Sequence, residues 1–495
     1  MNTNQLTKEQ QIYHSLIYML PVGLGSLLPF ITIPIFTRIL SPEDYGVLAL
    51  AMIYAIIMSG LSNFGMTIAF ERNYFQYRYT AKKLAQLFYS SLVFVLANFA
   101  VLIGITYLFK ENISELLTKT TQHGSLILAT FAAHFFFSTA VSFFFIYFKN
   151  EEKAKLHTKY RIINNLLNVC LGLFFVVYLR VGVIGIVLAQ LISGVSLFIL
   201  LLYLFLKELR FSLNKKILLE SLKIAYPRSP RIFLGVLNTQ FDKYMIGLLA
   251  TIGGVGIYHI GKKISELTFT FMTAIENVFN PQIYQRMFNQ HEQGSESIGR
   301  YLTPFLYISV FIALCVALFS EELLTVLTPA SYHGAIPIIS ILSIYFSFLF
   351  FGKITGIQLL YSKKTHITAM LTFLSVGINV GFNIPFIMWF GAIGAAAATM
   401  LAGLTSGTIS LLVAQHYYRI HYEWNKIAWI MGTFFIGSTI IATLHLLDAP
   451  YYWSLLVKLI SISAFILIGI KYGIVSKENF IEVKSIMKLR KIVTA

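Results

Sequence analysis

The sequence predicts an all-α integral membrane protein with about fourteen transmembrane helices. Three observations carry that prediction. Apolar segments of roughly twenty residues fill nearly all of the 495-residue chain. Charged residues make up only 12% of it against 57% hydrophobic ones. Lys and Arg crowd into every second loop, which sets an orientation.

The apolar segments run over 12–37, 46–68, 84–109, 123–148, 162–179, 182–206, 229–250, 253–280, 301–320, 334–360, 366–390, 392–416, 425–446 and 452–471. Each is long enough to cross a hydrocarbon core of about 30 Å as a helix, the one open structure that pairs its own backbone groups there. Outer-membrane strands would be about half as long. Of the 38 Lys and Arg, only Arg38, Lys110, Lys119 and Arg180 fall in odd-numbered loops, and Lys243, Lys262, Lys263, Lys353 and Lys458 fall inside spans. The remainder sit at the N-terminus, in even-numbered loops or the C-terminal tail, or at the span ends beside them, so both termini are expected in the cytoplasm.

A formal charge of +17 concentrated in cytoplasmic loops excludes nucleic acid as the natural partner. Those loops meet anionic lipid headgroups or simply determine topology. Cys170 and Cys315, the only cysteines, both lie within spans, so neither a disulfide framework nor a thiolate metal site follows. The first span carries Pro21, Pro29 and Pro34 and lacks a small-residue cleavage site, so it is expected to be retained.

The chain repeats internally. Gly182-Val183-Ile184-Gly185 with Ala189 and Gly194 recurs as Gly391-Ala392-Ile393-Gly394 with Ala398 and Gly403. Tyr45-Gly46-Val47 recurs as Val255-Gly256-Ile257, and Ser15-Leu16 with Pro21 as Ser221-Leu222 with Pro227. The near-constant offset divides the chain into an N-terminal six-helix lobe (1–206), a cytoplasmic linker (207–228), a second six-helix lobe (229–416) and an appended helix pair with a basic tail (417–495). Six spans per copy make the repeats parallel. The linker, with Lys207, Arg210, Lys215, Lys216 and Lys223 among Leu and Ile, reads as a surface amphipathic helix or a plain connection.

Polar residues inside spans are the candidates for function, because a charge at mid-bilayer costs at least ~2.5 kcal/mol and faces protein or water. In span 8, His259, Lys262, Lys263, Glu266, Thr270, Thr273, Glu276 and Asn277 recur at intervals of three and four and form one stripe. Its ammonium groups suit a pyrophosphate; Glu266 equally stands at ion-pair spacing from Lys262 and Lys263. Span 2 carries Ser59, Asn63, Thr67 and Glu71 at four-residue spacing with Arg72 alongside, either as site residues or as helix-packing and interface groups. Asp242, one of three Asp in the chain, is a candidate for binding a proton or cation or for pairing with Lys. Glu71 and Glu266 are further ion-coupling candidates. Lys353 is a cavity cation or the partner of an acid on another helix, and Lys458 is expected to snorkel to the interface. Arg38, on the outward side, reads as a gate or substrate contact. The Ser41-Pro42-Glu43-Asp44 run after it reads as a helix start.

The stretches TRILSPEDYG (Thr37 to Gly46), ESLKIAYPRSP (Glu220 to Pro230), FDKYMIG (Phe241 to Gly247), GGVGIYHIGKKISEL (Gly253 to Leu267) and NPQIYQR (Asn280 to Arg286) resemble the bacterial polysaccharide transporter family of Wzx-type flippases. That family shares a superfamily with lipid II flippases and MATE antiporters. The resemblance covers residues 12 to about 416. It implies two six-helix lobes in a V with a central cavity opening alternately to each side. It also implies movement of undecaprenyl diphosphate-linked O-antigen or capsule repeat units to the outer leaflet of a bacterial inner membrane. Ion coupling by protons or sodium, and a polysaccharide polymerase with assembly proteins as partners, are implied on the same footing. On this basis the substrate-contact candidates are Lys262, Lys263, Lys353, Arg38, Glu266 and Arg72. No cofactor or metal is expected.

An enzyme such as a glycan polymerase or ligase is the reading from another class. Loops of at most about twenty residues, and the lack of a phosphate-binding glycine loop, a His-Glu-x-x-His helix or a nucleophile elbow, argue against it. Among transporters, a lipid II flippase and a MATE-like antiporter are the alternatives. The slight excess of embedded Lys over acids favours an anionic substrate.

Overall fold

The computed structural model describes residues 8–226, 229–289, 291–446 and 450–474, and a helix occupies each of the fourteen apolar stretches. Pro227 and the basic tail beyond Ile474 lie outside the described residues. Among the described residues, nine helical runs are long and apolar enough on their own to cross a membrane.

By packing, the chain divides into two compact units, residues 1–256 and 257–495. In the first, α1 (Lys8–Phe36) carries its three prolines inside the helix. Helix α2 (Pro42–Asn63) starts on a complete capping box: the Ser41 hydroxyl accepts from the Asp44 amide at 3.2 Å, and the Asp44 carboxylate accepts from the Ser41 amide at 2.9 Å. Span 2 then breaks. Phe64 and Gly65 both take left-handed backbone angles (φ 48° and 74°) before α3 (Met66–Tyr77). Asn63 bridges that break, its amide donating to the Thr67 hydroxyl at 2.9 Å and accepting from the Thr67 amide at 3.2 Å. These two residues therefore serve a local turn, where sequence spacing suggested a bond to a neighbouring helix.

Helix α4 (Ala81–Leu108) leads through α5 (Lys110–Thr118) to α6 (Gly124–His134), which continues through a π-helical turn at Phe135–Ala140 into α7 (Val141–Asn150). Then come α8 (Ala154–Leu173) with a second π-turn at Phe174–Tyr178, and α9 (Ile184–Glu208). The unit's core is aromatic: Phe88 stacks on Phe205 at 5.0 Å and Phe99 on Phe135 at 3.9 Å. Outward faces stay apolar, with Val101, Leu108, Ile199 and Tyr203 exposed. That distribution suits lipid, in which helix association draws on packing and hydrogen bonds and not on a hydrophobic force.

The linker contains helix α10 (Lys215–Ala225), capped by Asn214, whose side chain accepts from the amides of Lys216 and Ile217. Ile217, Ser221 and Ala225, at four-residue spacing, are buried where α10 packs on α3 and α4. Asn73 donates to Ser221 at 3.0 Å and Tyr77 to Glu220 at 2.7 Å. Of the two readings of the linker, an amphipathic helix or a plain connection, residues 215–225 form the helix, and it turns its buried face to protein. Helix α11 (Ser229–Leu249) groups with this unit because it lies against α2 and α5.

The second unit begins within helix α12 (Ile252–Asn289), at Ile257, and continues with α13 (His291–Leu318), α14 (Ser320–Leu327), α15 (Ile336–Tyr361) and α16 (Thr365–Tyr417). Spans 11 and 12 are joined within α16 across a kink at Gly391. The pair α17 (Trp424–Leu446) and α18 (Tyr451–Lys471) packs on itself and on α13, where the Tyr307 hydroxyl donates to the Phe465 carbonyl at 3.0 Å.

The repeated glycines hold matching roles. Gly182 (φ 71°) and Gly391 (φ 56°) are each left-handed at the junction between the fifth and sixth helix of their copy. Twelve residues on in each case, Gly194 lies against the backbone of Phe137, and Gly403 against the ring of Tyr345, with no room for a Cβ at either.

Candidate functional site

Helix α12 concentrates the charge. Its 38 residues span about 57 Å, so charges along it sit at several depths. The stripe resolves into two ion pairs. The Lys263 ammonium meets the Glu266 carboxylate at 3.1 Å, and ten residues further on Glu276 meets Lys353 of α15 at 3.0 Å. Lys262 lies over the ring of Tyr258 at 5.6 Å, and Lys353 also faces the Phe269 ring at 5.5 Å. Thr270 and Thr273 donate back to the carbonyls of Glu266 and Phe269, the local bond that keeps a hydroxyl satisfied within a helix. Asn280 donates to Glu276 at 3.3 Å. Three ammonium groups thus stand with two carboxylates on adjoining helices of the second unit.

Lys263 and Glu266 are about two-fifths exposed and Lys353 about one-third, whereas the Glu276 side chain is 15% exposed. The first pair is the more exposed, and the second is the enclosed one. Lys353 is the partner of an acid on another helix, one of its two sequence readings.

The other candidates stand apart. Asp242 of α11 is buried, at 2% exposure, and its neighbour Lys243 donates to Gln240 at 3.1 Å. Arg38 turns back to the Pro34 carbonyl at the end of α1, a cation placed at the negative end of the helix dipole. Glu71 pairs with Lys149 in an exposed contact. Arg72 donates to Asn73 at 2.8 Å and to Gln76 at 3.2 Å, in the polar layer that also holds α10.

Lys458 is fully buried, with Glu322 in hydrogen-bond contact, Glu321 at 3.8 Å, and the Phe319 and Tyr451 rings around it. The acids belong to α14, a short helix in the loop between spans 9 and 10, and a long-range pairing of this kind has no local sequence signal.

Long apolar helices that expose their hydrophobic faces define a multi-pass helical membrane protein. Solved structures of that kind share the fold. The chain superposes on "Lipid II flippase MurJ, inward closed conformation" with a TM-score of 0.72 at 16% identity, over 92% of this chain and 99% of that one. On an inward-facing multidrug resistance MATE family transporter of the MOP superfamily the TM-score is 0.60 at 16% identity, over 81% and 97%. The chain belongs to the polysaccharide biosynthesis protein family, whose model matches residues 14–287. It is similar to the "Putative O-antigen transporter" of Escherichia coli K12, 22% identical over 81% of this chain and 95% of that one. It is also similar to the "Probable low-salt glycan biosynthesis flippase Agl15" of Haloferax volcanii, 24% identical over 39% of this chain. The chain spans 42% of the length of that haloarchaeal relative.

Proposed function

We propose that the protein is a flippase that carries undecaprenyl diphosphate-linked polysaccharide repeat units from the cytoplasmic to the outer leaflet of a bacterial inner membrane by alternating access, with both termini cytoplasmic. The observation that carries this reading is the α12 stripe. Lys262, Lys263 and Lys353 set three ammonium groups against Glu266 and Glu276 inside helices of a family devoted to polysaccharide biosynthesis. A diphosphate leaving water needs cationic hydrogen-bond donors. The open Lys263–Glu266 pair and Lys262 supply them, while the enclosed Glu276–Lys353 pair holds α12 to α15.

The chain's fourteen helical stretches act as two six-helix copies, 1–206 and 229–416, with the linker 207–228 and the pair within 417–495 appended. Asp242, an enclosed carboxylate outside that stripe, is the residue we assign to proton or sodium coupling. Arg38 and Arg72 are peripheral in this reading: each is engaged by neutral oxygens of its own neighbourhood. The net basic stripe disfavours a cation antiporter, and a peptidoglycan-precursor flippase is the reading closest to ours.

The test is reconstitution of the full chain into vesicles with defined undecaprenyl diphosphate glycans, scoring movement between leaflets. Transport by the intact chain and at least a tenfold slower rate with Lys262→Ala or Lys263→Ala, about 1.4 kcal/mol of lost stabilisation, is the expected result. If the intact chain moves no such glycan, the flippase reading is wrong. Equal transport by the variants removes the stripe from the mechanism and leaves the family assignment standing.

A further inference from the structure

Helix α8 is built inside out relative to a helix in water. Leu156, Ile163, Leu166 and Leu167 are exposed, while Thr158, Arg161, Asn164 and Asn168 recur at three and four residues on the opposite, enclosed face. That face runs along α1. Thr158 donates to the Ile17 carbonyl at 2.8 Å, and a Cβ on Gly25 would lie 3.5 Å from the Asn165 amide nitrogen.

Protein contacts leave part of this face unused. Asn164 is 1% exposed, and neither its Oδ1 nor its Nδ2 has a hydrogen-bond partner among the described residues. The buried Oδ1 of Asn168, one turn on, has none either. Native structures rarely retain a buried amide with both ends unmet, and those that do usually reserve it for a ligand, an ion or water.

Arg161, one turn before Asn164, narrows the choice. Its guanidinium stacks on the Phe145 ring at 4.6 Å and pairs with no carboxylate among the described residues. Stacking uses the face of the guanidinium and leaves its five in-plane N–H groups for an acceptor. A fixed positive charge beside the two amides disfavours a cation there. Hydroxyl groups donating to the two amide oxygens, with an acidic substituent accepting from Arg161 and the Asn164 amide, match the set. An acidic sugar carries both.

We propose that the Arg161–Asn164–Asn168 face of α8 is a second substrate site, which recognises the sugar hydroxyls and acidic groups of the lipid-linked glycan separately from its diphosphate. This rests on the flippase reading. Because the face is closed against α1 in this conformation, occupancy goes with a displacement of α1, a helix whose interior prolines permit bending.

The experiment measures equilibrium binding of the detergent-solubilised full chain to bare undecaprenyl diphosphate and to the same lipid carrying a panel of neutral and acidic glycans. Asn164→Leu is expected to weaken binding of glycan-bearing lipid by about tenfold or more while leaving bare lipid unchanged. Arg161→Gln is expected to weaken the acidic members alone. Replacing an unmet amide with an apolar group of similar size should keep or raise the unfolding temperature of Asn164→Leu, which also reports that the variant is folded. The proposal is overturned if Asn164→Leu affects bare and glycan-bearing lipid equally, affects neither, or lowers the unfolding temperature. Binding of neither lipid by the intact chain would instead remove the flippase reading on which the site depends.

Discussion

Gly46 and Gly256, the glycines of one repeated motif, pack backbone to backbone. A Cβ on Gly256 would stand 1.9 Å from the Pro42 carbonyl oxygen and 3.0 Å from the Gly46 nitrogen, and one on Gly46 would stand 2.0 Å from the Ile252 carbonyl oxygen. The two glycines of the repeated motif meet within the first unit where α2 crosses the start of α12, where only hydrogen fits. Gly256→Ala should therefore destabilise the chain by about 3 kcal/mol, the upper part of the range for overpacking, because the obstacle is backbone. Thermal unfolding in detergent measures it. Gly352→Ala, at a helical position with open space, is the control and should gain about 0.5–1 kcal/mol.

The Lys353–Glu276 pair separates structure from transport. Lys353→Met leaves a carboxylate at low exposure and should destabilise the chain by about 1–3 kcal/mol, with Glu276→Gln in the same background restoring most of it. A transport assay at a temperature where both variants are folded should then find the double variant active. An inactive double variant with restored stability would make Lys353 a substrate contact.

Lys458 predicts a purely structural phenotype. Its ammonium is fully buried between Glu321, Glu322 and two aromatic rings, while the two carboxylates keep partial access to solvent, so Lys458→Met leaves both acids unpaired and should cost about 1–3 kcal/mol. Protease accessibility of the α17–α18 pair should rise. Adding Glu321→Gln and Glu322→Gln should reverse the effect.

Asp242→Asn tests coupling. Transport in vesicles with an imposed proton or sodium gradient should lose its dependence on that gradient while a residual, gradient-independent rate persists. An unchanged gradient response would relieve Asp242 of the role.

Glu71→Gln should change little. Its pair with Lys149 is exposed on both sides, and such contacts contribute about 0.2–1 kcal/mol. A loss of transport without a loss of stability would restore Glu71 as a coupling residue.

Much of the fold was legible because hydropathy and helix punctuation are local. The helix start at Ser41–Asp44 is written in four consecutive residues, and the linker's helix was one of two readings its Lys, Leu and Ile pattern allowed. The candidate site was legible as a stripe on α12 for the same reason, since a helical period places Lys263, Glu266 and Glu276 on one face. Its pairing was not, because Lys353 read equally as a cavity cation or as the partner of an unnamed acid, and sequence spacing carries no information on which helix adjoins α12.

The sequence by itself determined that this is a helical membrane protein, where its helices begin and turn, and which helix bears the charge. Those features follow from bilayer thickness and from backbone hydrogen bonding, which act over stretches of four to twenty residues. Tertiary structure decided that Glu276 meets Lys353, that Lys458 is enclosed by acids 136 and 137 residues earlier, and that Asn164 is buried with its amide unmet. Such pairings depend on which helices pack together, and within lipid that is settled by close fit and polar contacts between distant segments, not by the apolar pattern that nearly every helix shares.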